Sequence, residues 1–88
     1  MSIKATLHPF LNGGKELQID VEGKTVGECL DSAVKEFPAL EQQMFQKKGM
    51  LKRHVEVLVN GRSTSPQELV YPVKDGDSLA VLVFLSGG

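Results

Sequence analysis

The sequence comprises 88 residues, with 10 Lys and Arg, 11 Asp and Glu, and a formal net charge of −1. That length supports one domain with a single core, and the near-zero charge argues against a nucleic-acid surface. No apolar run is long enough to span a membrane, and the N-terminus lacks the pattern of a signal peptide. We therefore expect a soluble cytoplasmic protein with no nucleic-acid or membrane partner.

The first two elements are predicted strands. Apolar residues alternate with polar ones over 3–7 and again over 17–21, as in strands with one buried face. Asn12-Gly13-Gly14 between them is a turn signal. The pattern predicts an N-terminal β-hairpin.

The next segment is the one clear helix. Thr25 and Glu28 fit a capping box, in which the Glu28 amide donates to the Thr25 hydroxyl and the Thr25 amide donates to the Glu28 carboxylate. Apolar residues recur at helical spacing over 26–37, and Pro38 disfavours helical geometry at the residue before it. A helix of about three turns is predicted to end at Phe37.

The middle of the chain is less regular. The stretch ALEQQMF (39–45) predicts a short second helical turn, and QKKGMLKR (46–53) predicts an exposed loop. Alternation over 55–59 predicts a third strand, ended by the turn signal Asn60-Gly61.

The last part of the chain carries one more strand. RSTSPQELVYPV (62–73) predicts a loop with a brief strand near Val70. Asp75-Gly76 predicts a turn, followed by a final strand over 78–84.

This element order predicts an α+β fold. Strands flanking one amphipathic helix suggest a mixed sheet of four to five strands with the helix across one face. Among small domains, that order fits the β-grasp, or ubiquitin-like, roll, since a ferredoxin-like fold would need a second good helix. We expect a β-grasp domain over 1–84 and a flexible C-terminal Gly-Gly tail over 85–88.

The final strand is apolar on both faces. One set of alternating residues is Leu79, Val81 and Val83, and the other is Ala80, Leu82 and Phe84, which Leu58 on a neighbouring strand could join. A doubly buried central strand would read this way. The alternative is an apolar patch that docks a partner protein, and we favour it because little chain is left to cover that face.

The chain closes with Ser86-Gly87-Gly88 directly after this apolar strand. Four extended residues after Phe84 reach about 13 Å, and glycines without side chains suit a narrow channel in another enzyme. A terminal carboxylate becomes reactive when it is adenylated, and a sulfur nucleophile that displaces AMP then leaves a thiocarboxylate. The tail would supply the reacting group and the domain would supply recognition.

These residues resemble the ubiquitin-like sulfur carriers of the MoaD/ThiS family. The resemblance covers nearly the whole chain in element order and is densest in VLVNGR (57–62), VKDGDSLAVL (73–82) and SGG (86–88). The stretch GMLKRHVEVLVN (49–60) is similar to the longer MoaD-like and CysO-like members. One departure is that family tails often carry proline, whereas this chain has Val-Phe-Leu-Ser at 83–86, which leaves the partner's identity open.

The resemblance implies a specific reaction and specific residues. Gly88 would be adenylated by a ubiquitin-activating-type enzyme that uses ATP, and a sulfur donor would convert it into the thiocarboxylate. Gly87 and Ser86 would pass through the partner's channel. The chain would be a protein cosubstrate rather than an enzyme, with a sulfur-accepting synthase subunit as a second partner. The docking surface would include Leu82, Phe84 and Leu85, and the apolar pattern of the strands adds Leu58 and Ala80.

Three functions remain open from the sequence. The first is sulfur donation in the biosynthesis of a cofactor or metabolite, of molybdopterin type or of cysteine or secondary-metabolite type. The second is a protein modifier joined through Gly88 to lysines of target proteins. The third is a non-covalent β-grasp interaction module.

Other chemistry-bearing residues suggest no site. Cys29 lies on the apolar stripe of the helix, so we expect a buried, inert thiol, and a single cysteine cannot form a disulfide or a metal site alone. His8 and His54 each stand alone at a strand edge, so no metal and no bound cofactor are expected. The basic residues at 47–48 and 52–53 predict a solvated surface, or alternatively a patch that steers an acidic partner.

Overall fold

The computed structural model describes residues 3–47, 49–65 and 67–83. Seven strands and two α-helices occur in these ranges. The strands are β1 Ile3–Leu7, β2 Leu17–Val21, β3 Phe45–Lys47, β4 Met50–Leu51, β5 Val55–Val59, β6 Arg62–Ser63 and β7 Ser78–Val83, and the helices are α1 Val26–Glu36 and α2 Ala39–Met44. Single 3₁₀ turns span Pro9–Leu11 and Glu68–Val70.

Five strands form one mixed sheet in the order β2-β1-β7-β5-β6. The predicted N-terminal hairpin is confirmed, because β1 pairs antiparallel with β2 from Ile3↔Val21 to Leu7↔Leu17. β7 is the central strand, parallel to β1 and antiparallel to β5. Consequently the first and last described strands lie side by side in the middle of the sheet.

The helix α1 begins as predicted at a side-chain cap. The Glu28 amide donates to the Thr25 hydroxyl at 3.2 Å, which satisfies one of the free amides of the first turn. The reciprocal bond differs from the prediction, because the Glu28 carboxylate accepts from the Lys24 amide at 2.9 Å rather than from that of Thr25. The carboxylate thereby also secures the loop that leads into the helix.

The hydrophobic core lies between α1 and one face of the sheet. The apolar stripe of α1 contributes four buried residues, and the inner faces of β1, β5 and β7 contribute most of the rest. The buried set comprises Ile3, Ala5, Leu7, Leu11, Val21, Val26, Cys29, Leu30, Ala33, Leu40, Met44, Val55, Val57, Val59, Leu79 and Val81. The mixed five-stranded sheet with a helix across one face is the β-grasp fold that the sequence predicts.

Two local predictions were wrong. The segment predicted as an exposed loop over 46–53 contains most of a small antiparallel hairpin, β3–β4, which turns at Gly49 with φ +79°. The residues near Val70 form a 3₁₀ turn rather than a brief strand. Glu68, the first residue of this turn, has φ +46°. The predicted short helix over 39–45 is confirmed as α2.

Candidate docking surface and C-terminal segment

The outer face of the sheet, which α1 does not cover, carries the described residues of the predicted docking surface. Leu58 lies directly opposite Ala80 in the β5–β7 ladder, and Leu82 is the diagonal neighbour two residues further along β7. All three are half-buried, whereas Leu79 and Val81 on the inner face are at most 1% exposed. Among the described residues, the inner face of β7 is fully buried at Leu79 and Val81 and half-buried at Val83, whereas the outer face is only half-buried at Ala80 and Leu82.

Polar side chains border this apolar surface. Thr6 of β1 is paired with Ala80, and the amide of the Gln18 side chain donates to the Thr6 hydroxyl at 3.4 Å. Glu56 is paired with Leu82, and its carboxylate accepts from the Ser63 hydroxyl at 2.6 Å. A small apolar centre with a polar border is the usual composition of a protein-docking surface.

The remaining predicted site residues are Phe84, Leu85, Ser86, Gly87 and Gly88, and they lie outside the described residues. The structure does describe the strand that leads to them. β7 is held on both sides, by β1 and by β5, up to Val81, and by β5 alone up to the Val55↔Val83 pair. The predicted tail thus follows the central strand of the sheet directly.

Two turns at the opposite end of β7 are joined by side chains, a contact that sequence reasoning missed. The Asn60 side-chain amide donates to the Asp77 carboxylate at 3.1 Å, and the Ser78 amide donates to the Asn60 side-chain oxygen at 3.0 Å. The other carboxylate oxygen of Asp77 accepts from the Lys74 amide at 2.9 Å. We call this network of Asn60, Lys74, Asp77 and Ser78 the turn clasp. The two motifs VNG and DGD are a visible signal for turns, but nothing in the sequence pairs them.

The turn clasp also changes the acidity of Asp77. Hydrogen bonds from the Asn60 side chain and the Lys74 amide favour the charged carboxylate, as does the positive charge of Lys74. Together they hold the pKa of Asp77 below its ordinary value of 3.8. The carboxylate is therefore ionised throughout the neutral range.

Cys29 is buried, as predicted, with no exposed surface. Burial, with smaller contributions from the charges of Glu28 and Asp77, raises the pKa of its thiol from 9.0 to about 11. At neutral pH the sulfur is protonated and buried, which confirms the predicted buried thiol and disfavours a nucleophilic role in the folded state.

The histidines and the basic residues have ordinary positions. His54 is exposed, whereas the half-buried imidazole of His8 accepts from the Phe10 amide at 3.1 Å and caps the first 3₁₀ turn. Within 3–47, 49–65 and 67–83, no cluster of three His, Cys, Asp or Glu residues has metal-site geometry. Lys47 and Arg53 are exposed on and beside the β3–β4 hairpin. Among the described helices, none is both long and apolar enough to cross a bilayer.

The chain is similar to known proteins over nearly its full length. It is 39% identical to small archaeal modifier protein 1 of Haloferax volcanii over 77 residues, which are 86% of this chain and 85% of the relative. A crystal structure of that protein covers 100% of both chains with a TM-score of 0.77 and 35% identity.

Two further solved structures share the fold. One is a chain of the BexX/CysO complex of Amycolatopsis orientalis, with 26% identity, a TM-score of 0.81, and coverage of 98% of this chain and 99% of that one. The other belongs to the complex of subunits 1 and 2 of the molybdopterin-converting factor of Helicobacter pylori, with 20% identity, a TM-score of 0.64 and full coverage of both chains. The sequence model of the ThiS family matches residues 2–88. The chain therefore belongs to the ThiS family of ubiquitin-like carrier and modifier proteins.

Proposed function

We propose that this chain is a sulfur carrier whose Gly88 carboxylate is activated and converted into a thiocarboxylate. The observation that carries the proposal is the family match over 2–88, which includes both turns of the turn clasp and the terminal glycines. The chain acts as a protein cosubstrate, because the reacting group is its own terminus and other proteins perform the activation and accept the sulfur.

The proposed reaction has two steps. A Gly88 carboxylate oxygen attacks the α-phosphorus of ATP in the activating enzyme, so that an acyl adenylate forms and pyrophosphate leaves. A sulfide ion then attacks the acyl carbon, the bond to AMP breaks, and the C-terminal thiocarboxylate remains. Residues 84–88 can reach at most about 17 Å beyond Val83 when fully extended. That reach suits an active site that lies within another protein.

The outer face of the sheet is the proposed docking surface for both partners. Leu58, Ala80 and Leu82 form its apolar centre, and the tail begins on the same strand as two of them. A partner that covers this face is therefore placed beside the exit of the tail. The names of the BexX/CysO complex and of the two-subunit converting factor support a synthase subunit as one such partner.

A second function is favoured by a specific observation. The relative at 39% identity is a small archaeal modifier protein, so Gly88 could be joined through an isopeptide bond to lysines of target proteins. The same acyl adenylate serves both functions, and the two differ only in the nucleophile that attacks it. A non-covalent interaction module is the third alternative, and it needs no free C-terminus.

Intact-protein mass spectrometry tests the proposal. The purified chain is incubated with ATP, sulfide and its cognate activating enzyme, and the expected mass gain is that of one oxygen replaced by sulfur. A variant without Gly88, and a variant extended by one residue after Gly88, should show no gain. An unchanged mass, with an enzyme shown to be active on its own carrier, would contradict the carrier function. High-molecular-weight conjugates in cell lysate that disappear in the extended variant would favour the modifier function.

A further inference from the structure

A second surface of the molecule lies on the helix side of the sheet, opposite the proposed docking face. A half-open cavity of about 240 Å³ runs along one flank of α1, between the 3₁₀ turn Glu68–Val70 and the β3–β4 hairpin. We call it the flank groove. Its lining consists of Gly27, Asp31, Val34, Glu41, Phe45, Gly49 and Leu69.

Gly27 of α1 allows the 3₁₀ turn that borders the flank groove to pack closely against the helix. Gly27, Asp31 and Val34 are spaced so that they share one side of the helix beside the buried stripe. A Cβ atom at Gly27 would lie 3.0 Å from the Leu69 carbonyl oxygen, so the missing side chain allows the 3₁₀ turn to approach the helix.

The walls of the groove are apolar and partly exposed. Val34, Phe45 and Leu69 line it and are only partly buried although they contact the core. Two of the large apolar side chains that are exposed in the described part of the chain are sequence neighbours of lining residues: Met50 follows Gly49, and Val70 follows Leu69. A partly exposed apolar lining indicates an interaction site.

The charges of the groove indicate what it binds. Among its described lining residues, the ionisable side chains are Asp31 on α1 and Glu41 on α2, both exposed carboxylates. The lysine of β3, Lys47, is not part of the lining. A groove with apolar walls and two carboxylates in its lining is complementary to an apolar side chain that has cationic neighbours.

We propose that the flank groove binds a segment of another protein that presents an apolar side chain flanked by lysine or arginine, as a basic amphipathic helix does. This surface and the outer face of the sheet lie on opposite sides of the molecule. Both can therefore be occupied at once, and binding at the groove does not depend on the chemistry of Gly88.

Amide chemical shifts measured by NMR test this proposal. The probes are two synthetic amphipathic helical peptides with identical leucine positions, one with lysine and the other with glutamate at the flanking positions. The lysine peptide should shift the amides of Gly27, Val34, Gly49 and Leu69, and the glutamate peptide should not. The double variant Asp31→Lys with Glu41→Lys reverses both charges. It should lower the affinity for the lysine peptide roughly tenfold or more, as expected for two lost charge pairs.

A matched variant controls for net charge. Glu16→Lys with Glu36→Lys changes the net charge by the same amount at exposed positions outside the groove and should leave affinity unchanged. If the charge reversal disturbs the fold, Asp31→Asn with Glu41→Gln tests the same contacts. Equal binding of both peptides, shifts that map to Leu58, Ala80 and Leu82 instead, or no shifts at all would overturn the proposal. So would a concentration-dependent dimer that Asp31→Lys dissociates, because the occupant would then be a second copy.

Discussion

The side chains of Asn60 and Asp77 hydrogen bond to each other at 3.1 Å although they lie 17 positions apart in the sequence. Asn60 also adopts a left-handed conformation, with φ +52°. One residue therefore completes the turn between β5 and β6 and also binds the turn that precedes β7. This contact ties the two turns to each other.

Substitution of Asn60 separates its two roles. Asn60→Gly keeps the left-handed turn but removes the bonds to Asp77 and Ser78, so we expect a loss of roughly 1 kcal/mol in the free energy of unfolding. Asn60→Ala loses the same bonds and should cost about 1 kcal/mol more, because alanine resists that conformation. Urea unfolding followed by circular dichroism measures both. Equal midpoints for the two variants would contradict the conformational part of the argument.

The lowered pKa of Asp77 makes the turn clasp sensitive to acid. Because the folded-state pKa lies below the ordinary value of 3.8, the charged carboxylate stabilises the fold at neutral pH. That contribution is complete above about pH 5 and is lost as the pH falls through the lowered folded-state value.

The comparison with Asp77→Asn gives the test. The difference in urea midpoint between the parent chain and this variant should be largest near neutral pH and should shrink below about pH 4. A difference that stays constant across this range would mean that the Asp77 charge does not contribute.

Cys29 should react slowly with thiol reagents in the folded protein. Its side chain is buried and its raised pKa, about 11, keeps the sulfur protonated at neutral pH. Reaction with a disulfide reagent should therefore follow global unfolding and accelerate sharply in urea. Rapid labelling without denaturant would show that the thiol is accessible.

The raised pKa of Cys29 also predicts how the free energy of unfolding changes at alkaline pH. Stability should be unaffected below pH 9.0 and should fall as the pH rises toward 11, whereas Cys29→Ala should lack this decline.

The docking surface predicts variants that lose partner recognition but keep the fold. Leu82→Asp and Ala80→Arg place charge on the half-exposed face of β7, so the rate of thiocarboxylate formation at low carrier concentration should fall about tenfold or more. Phe10→Asp is the matched control, because this exposed residue lies on the 3₁₀ turn Pro9–Leu11 and belongs neither to the docking surface nor to the flank groove. Thermal unfolding verifies that each variant is folded. An equal loss of rate for Phe10→Asp would place docking elsewhere.

The regular elements could be predicted because their patterns are local. Alternation in β1, β2 and β5 and the cap at Thr25 are determined by neighbouring residues, and the structure reproduces them. The β3–β4 hairpin was missed because strands of three and two residues are too short to show alternation, although Gly49 was an available turn signal. Val70 suggested a strand because β-branched residues favour strands, yet it is exposed on a 3₁₀ turn.

The candidate site divides in the same way. Leu58, Ala80 and Leu82 share one face of the sheet, which the two-residue period of strands predicts once β5 is taken to pair with β7. The turn clasp and the flank groove depend on contacts between residues far apart in the chain. Sequence spacing does not contain that information, so both emerge only from the assembled fold.

The central place of β7 makes folding depend on the last strand of the described sheet to be synthesised. Its parallel partner is β1, so Lys4 must meet Ser78 across almost the whole chain before the sheet is complete. Contacts of such long range form late and slowly during folding. A chain interrupted anywhere before β7 lacks the middle of its sheet, would expose its core and would be a substrate for degradation. Synthesis of β7 is thus the step that allows the sheet to close, and a copy truncated before β7 cannot complete the fold.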